Sequence, residues 1–172
     1  MALTLDLCRD EDFREMTDVM FDSMAGNNEF VNAIYPHNMT KEGRDKHCAR
    51  FLRAKNVDST QRWLKVTDTA TCEIIGVIRW NIYDDPQKKP AETQLDGPEG
   101  TWDTLDDKQW AQAMFNDYML DRWKVIREAT GPVLCLSLLA VAPKHQCRGA
   151  GTMLTKWGTD YADTINAEVI SL

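Results

Sequence analysis

Apolar and polar residues alternate from Leu3 to Leu7, the two-residue period of a strand with one buried face. The period then changes. Phe13, Met16, Val19, Met20 and Met24 recur at helical spacing, which predicts a helix to about Met24, with Asp10 or Asp12 as its cap. The polar run Gly26-Asn27-Asn28 reads as a loop continuing through Phe30 to His37. A second helix is expected from Thr40 to Lys55, its apolar face made by Cys48, Phe51 and Leu52. Arg62 to Thr67 and Glu73 to Tyr83 read as a hairpin turning through Asp68-Thr69-Ala70-Thr71. Gly76 within the second strand marks a bulge or a close approach of another segment.

Residues 84–100 carry Pro, Gly and charge and read as a loop. A long helix follows from about Leu105 to Ala129. It carries two stripes, Trp110, Met114 and Tyr118 beside Phe115, Met119, Trp123 and Ile126, for which core packing is the expected role. Gly131-Pro132 ends it. Val133 to Ala142 is almost continuously apolar, as a strand covered on both faces requires, and Pro143 stops it. A helix from about Gly149 to Asp163 presents Met153, Leu154, Trp157, Tyr161 and Ile165 on one side, and Glu168 to Leu172 reads as a last strand.

Charge and cysteines narrow the function classes. With 27 acidic and 20 basic residues, the formal net charge is −7. That sign disfavours nucleic acid and anionic membrane surfaces as partners. No apolar run is long enough to cross a bilayer, and the charged residues near the N-terminus do not suit a signal peptide, so an intracellular, cytoplasmic location is expected. The five cysteines are scattered, without a C-x-x-C, and the three histidines have no ligand spacing. Reduced thiols and no metal are therefore expected.

The chemistry concentrates between the apolar strand and the helix after it, in Gln146-Cys147-Arg148-Gly149-Ala150-Gly151-Thr152. The first turn of a helix leaves N–H groups without partners, and the helix dipole adds partial positive charge. Glycines there let phosphate oxygens come close to the backbone. A P-loop is excluded because Thr152-Met153-Leu154, not Lys-Ser or Lys-Thr, follows the last glycine. A dinucleotide fingerprint is excluded because it needs three spaced glycines in a βαβ unit near the chain start.

The segment resembles the signature of the GNAT superfamily of N-acetyltransferases, Gln/Arg-x-x-Gly-x-Gly/Ala, including the preceding Val141-Ala142-Pro143 and the following apolar helix. Arg9-Asp10-Glu11-Asp12-Phe13 is similar to that family's first strand-to-helix junction. The resemblance covers nearly the whole chain as a single domain, residues 1–172. Residues 84–132 stand as an insertion and 133–172 as the CoA-binding strand–loop–helix–strand. The long insertion, with Leu139-Ala140-Val141 and Lys156-Trp157-Gly158, looks like a group common in fungi.

The resemblance implies an α/β (α+β) fold with a central mixed, mostly antiparallel sheet flanked by helices. It implies acetyl-CoA as cosubstrate and a small-molecule or peptide amine as acceptor, attacked directly in a ternary complex. Backbone groups of Gln146, Cys147, Arg148, Gly149, Ala150, Gly151 and Thr152 would hold the CoA pyrophosphate, with Arg148 adding charge. Leu139, Ala140 and Val141 would pair with the pantetheine arm, where the family's strand often bulges and splays. No residue is assigned as catalytic. Cys135 and Ser137 share a strand face, neither a convincing base, while Glu29, Tyr35 and His37 are candidates for the acceptor side. The family continues beyond a fifth strand and this sequence stops at Leu172. Weak transfer and a homodimer are therefore expected, with a CoA-binding module of little catalysis as the alternative.

Overall fold

The structure, a computed structural model, describes residues 2–24, 28–85 and 93–171. Its elements in chain order are β1 (Leu3–Leu7), a 3₁₀ turn (Asp10–Asp12), α1 (Phe13–Ser23), α2 (Glu29–Ile34), α3 (Lys41–Val57), β2 (Gln61–Asp68) and β3 (Ile74–Tyr83). There follow α4 (Leu105–Glu128), β4 (Val133–Val141), a second 3₁₀ turn (Pro143–His145), α5 (Ala150–Ile165) and β5 (Glu168–Ile170). The strands form one five-stranded sheet in sequence order. Every pairing is antiparallel except β4 with β5, which is parallel and joins only Val133–Cys135 to Glu168–Ile170. The expected α/β class and mostly antiparallel mixed sheet are what the chain adopts.

Both sheet faces are covered, by different helices. Helix α5 lays Ala150, Leu154 and Ala162 on Leu64, Val66, Ile75, Ile78, Trp80 and Leu134. Phe13, Met16, Met20 and Phe21 of α1, with Phe51 of α3, cover Trp63, Val77 and Leu138 on the opposite face. The start of α4 packs Ala111 against Ala33 and Ile34 of α2, while Ile126 near its end meets Val133 and Cys135. Caps fix the helix starts. Thr40 Oγ1 accepts from Gly43 N at 3.0 Å, and Thr104 with Asp107 forms a reciprocal capping box.

Two register slips matter. Opposite Gly76, Val66 and Thr67 pair with Gly76 and Ile74, leaving Ile75 as an extra residue. Gly76 is also approached closely: a Cβ there would sit 3.2 Å from Leu154 Cδ1. In β4, Arg79 faces Leu138 and Trp80 faces Leu136, so Ser137 is the unpaired residue of a bulge.

Several expectations are corrected. Phe30 to His37 is not all loop: Asn28 Oδ1 accepts from Val31 N at 3.1 Å and starts α2, whose six residues are too few to show a period. Gly26 and Asn27 lie outside the described residues, as do 86–92 and Leu172. Neither Asp10 nor Asp12 caps α1 with its side chain; Asp12 accepts from Arg9 N and Lys65 Nζ instead. Trp110 and Tyr118 are not core residues, remaining 55% and 51% exposed. Strand β4 is covered unevenly, with Leu139 and Val141 only partly buried because nothing pairs with that stretch on its outer side among the described residues.

Candidate functional site

Strand β4 has two unlike halves. Up to Cys135 it lies between β3 and β5. Beyond the bulge at Ser137 it keeps β3 but loses β5. Ala142 N donates to Ile75 O at 2.9 Å. Antiparallel alternation from that bond turns Ala140 toward Val77 and turns the N–H and C=O of Leu139 and Val141 to the open edge.

The loop carrying the glycine motif closes this edge at one end. Gln146 Nε2 donates to Val141 O at 3.3 Å, which brings the predicted loop and strand residues together. Gln146, Cys147, Gly149 and Thr152 are exposed, Arg148 and Gly151 half-buried and Ala150 buried. Gly149 is the N-cap of α5 with φ 91°, a left-handed conformation that glycine adopts without a Cβ penalty. A Cβ built on it would meet nothing within 4 Å, so the space above it is open. Met153 N donates to Gly149 O at 3.0 Å, and the amides of Ala150, Gly151 and Thr152 precede that bond at the positive end of the helix.

Beneath the loop lies a polar anchor. Arg148 Nη2 donates to Asp68 Oδ2 and Nη1 to His145 Nδ1, both at 2.6 Å. Asp68, the last residue of β2 and only 2% exposed, also accepts from Ala70 N. The Arg148 hydrogen bond, followed by that from Ala70, holds its carboxyl below the usual carboxylate range. Glu73 accepts from Lys144 at 3.1 Å and lies 3.4 Å from His145 Nε2. Arg148 is thus tied to the hairpin turn below the loop. Sequence reasoning missed Asp68 because its partner lies 80 residues away.

At the bulge, on the face away from α5, a second polar group converges. Ser137 Oγ donates to Asn81 Oδ1 at 2.7 Å, and Asn81 Nδ2 donates to Thr60 Oγ1 at 2.8 Å. Arg122 of α4 reaches in: Nη2 donates to Leu136 O at 3.3 Å and Nη1 to Ser137 Oγ at 3.4 Å. Burial pushes the Cys135 thiol and the Tyr83 phenol up to about 12, so neither accepts a proton near neutrality. Of the acceptor-side candidates, Tyr35 packs on Phe21, His47 and Phe51, whereas His37 pairs with Asp103 at 3.1 Å. His37 lines a separate cleft of about 320 Å³ with Lys46 and Gly100, which shares no residue with the β4 edge. Glu29 is exposed at the start of α2.

No family model matches the sequence, and no curated protein matches it. Solved structures do match its fold. A structure described as histone acetyltransferase HPA2 and related acetyltransferase from Corynebacterium glutamicum is 18% identical with a TM-score of 0.54, over 94% of this chain and 72% of that one. A mosquito arylalkylamine N-acetyltransferase like 5b is 17% identical with a TM-score of 0.53, over 95% and 72%. Glucosamine-6-phosphate N-acetyltransferase from Arabidopsis thaliana is 9% identical with a TM-score of 0.54, over 100% and 82%. With the strand order, the bulged β4 and the glycine loop at the head of α5, these neighbours establish that the chain has the GNAT N-acetyltransferase fold.

Proposed function

We propose that the chain is an acetyl-CoA-dependent N-acetyltransferase acting on an amine. The observation that carries this reading is the continuity of the open β4 edge with the glycine loop. An extended arm pairing with Leu139 and Val141 leads directly to the amides of Gly149, Ala150, Gly151 and Thr152. Those positions suit a pyrophosphate: they combine helix-terminal N–H groups, partial positive charge and, at Gly149, backbone uncovered by a side chain. The part of Arg148 in this reading is to hold the loop in shape through Asp68. Ala140 contributes by pairing with β3 and so keeping its two neighbours turned outward.

Acetyl-CoA supplies an acetyl thioester; attack by the amine nitrogen forms a C–N bond, breaks the C–S bond and leaves CoA as the thiol with the amine's proton. The chain's contribution is to place the reactants and to offer an N–H of β4 near Leu139 to the developing oxyanion. The bulge at Ser137 opens the strand at the level where donor and acceptor would meet, and Arg122 brings the 84–132 insertion to that point. The rest of the reading is an intracellular setting and a homodimer built on β5, which stands at the edge of the sheet among the described residues, with Val169 exposed.

The test is thiol release from acetyl-CoA over a panel of amines, run beside a calorimetric CoA titration. Saturable CoA binding with amine-dependent thiol release is expected. CoA binding without release from any amine would favour the alternative of a binding module. Absence of both would remove the reading.

A further inference from the structure

Arg79 is the residue that the fold leaves unexplained. It lies in the middle of β3 with Trp63 of β2 on one side and Leu138, just past the bulge, on the other. Its side chain is on the face away from α5. The guanidinium carbon lies 5.5 Å from the centre of the Trp63 ring, and Tyr35, Tyr83, Asp58 and Arg122 are its electrostatic neighbours. Among the described residues no hydrogen-bond acceptor and no carboxylate meets it, and its Nε is sealed from solvent without a partner. Asp58 accepts from Thr60, Gln61 and Asn81. Arg122, the second cation, makes the site more positive still.

The guanidinium remains charged, and taking its Nε out of water with only the Trp63 ring against the group costs stability. Packing alone does not account for it, since Met at this position would fill the volume without that cost. The residue is half-buried rather than closed off, and its flanking residues Ile78 and Trp80 are fully buried. Ile78 and Trp80 pack under α5 on the opposite face, so Arg79 keeps its partial exposure on the face that carries Leu138 and the bulge.

We infer that Arg79, on this face of the sheet, takes an oxyanion on the acceptor. The amine substrate carries a carboxylate or phosphate group that the planar donor fork of Arg79 binds, with Arg122 adding to the field. This deepens the acetyltransferase reading and rests on it. A guanidinium next to the point where acceptor and thioester meet demands an anionic group only a few bonds from the reacting nitrogen. Asn81 and Ser137, already bonded to each other, supply polar neighbours to a small molecule in that position.

The experiment uses matched amine pairs: O-phosphoethanolamine with ethanolamine, and β-alanine with propylamine. Binding to the whole chain is read by ligand-observed NMR, with CoA affinity measured separately by calorimetry. At least one anionic amine should bind tenfold or more tighter than its neutral partner, and the pair with the larger ratio tells phosphate from carboxylate. Arg79→Met should abolish that ratio, leave CoA affinity unchanged and leave the melting temperature unchanged or raised. Arg79→Gln, which keeps a hydrogen-bond donor, provides the same comparison if the Met variant does not fold. Equal binding within both wild-type pairs would overturn the inference, as would equal losses for charged and neutral members in a destabilised Arg79→Met. Loss of CoA binding in the wild type would instead count against the donor-site reading, while the amine comparison stays readable.

Discussion

His47 shows how a single buried side chain sets a response to pH. Its ring is fully buried, Nε2 lies 2.7 Å from Pro36 O and Nδ1 lies 3.1 Å from Arg50 Nη1. Arginine only donates and a carbonyl only accepts, so the ring is neutral with its proton on Nε2. Burial holds its pKa down to about 4 from the ordinary 6.5. The unfolded chain therefore binds a proton first as the pH falls. The stability from neutral His47 is complete above about pH 6.5 and is lost as the pH falls toward 4, by roughly 3 kcal/mol at most. Urea unfolding across that range should show the decline, and His47→Gln should flatten it; an equally steep profile in the variant would contradict this assignment. Nothing in the sequence near His47 announced it, because its partners come from the turn before α3 and from the next helical turn.

At the scale of elements, the helix and hairpin patterns were legible wherever several periods fit into one element. β2, β3, α3, α4 and the β4–α5 unit all fall close to their sequence expectations. Helix α2 was too short to show a period, and the two aromatic stripes of α4 gave no sign of which one faces water. Gly158 carries information the sequence did not disclose: a Cβ there would lie 2.2 Å from two ring carbons of Trp80. Helix α5 approaches the sheet on that glycine, and Trp80 is 1% exposed. Gly158→Ala should thus cost about 1–3 kcal/mol despite better helix propensity, because the core is overpacked. A thermal melt at or above the wild-type value would show that Trp80 moves aside freely. The loop anchor yields a separate expectation. Asp68→Asn removes the charged partner of Arg148, and CoA affinity should fall several-fold with the strands intact by circular dichroism. Because the Asp68 carboxyl is held below its usual range, the anchor's contribution is present above about pH 4 and fades as the pH drops through the folded pKa. Unchanged CoA affinity in Asp68→Asn would show that the loop holds its form without the anchor.

For the whole molecule, the sheet divides the chemistry between its two sides and one edge. Helix α5 and its glycine loop close one side, the outer edge of β4 runs open past the bulge among the described residues, and Arg79 with Arg122 stands on the other side. The proposed donor half, residues 139 to 152, could be put forward from the sequence because it is contiguous. The acceptor half we infer could not, because Arg79, Asn81, Arg122 and Ser137 come from three elements that only the register and the bulge bring together. The direct measurement of the central claim is a CoA titration of isotope-labelled protein, followed through its backbone amides and repeated with Gly151→Val. A Cβ at Gly151 would lie 3.8 Å from Val141 Cγ2, an ordinary contact, so the variant has room to fold. The account predicts saturable shifts at Leu139, Val141 and Gly149–Thr152 in the wild type, and a loss of tenfold or more in affinity in a folded Gly151→Val. Shifts confined to other surfaces, or equal affinity in the two proteins, would contradict it.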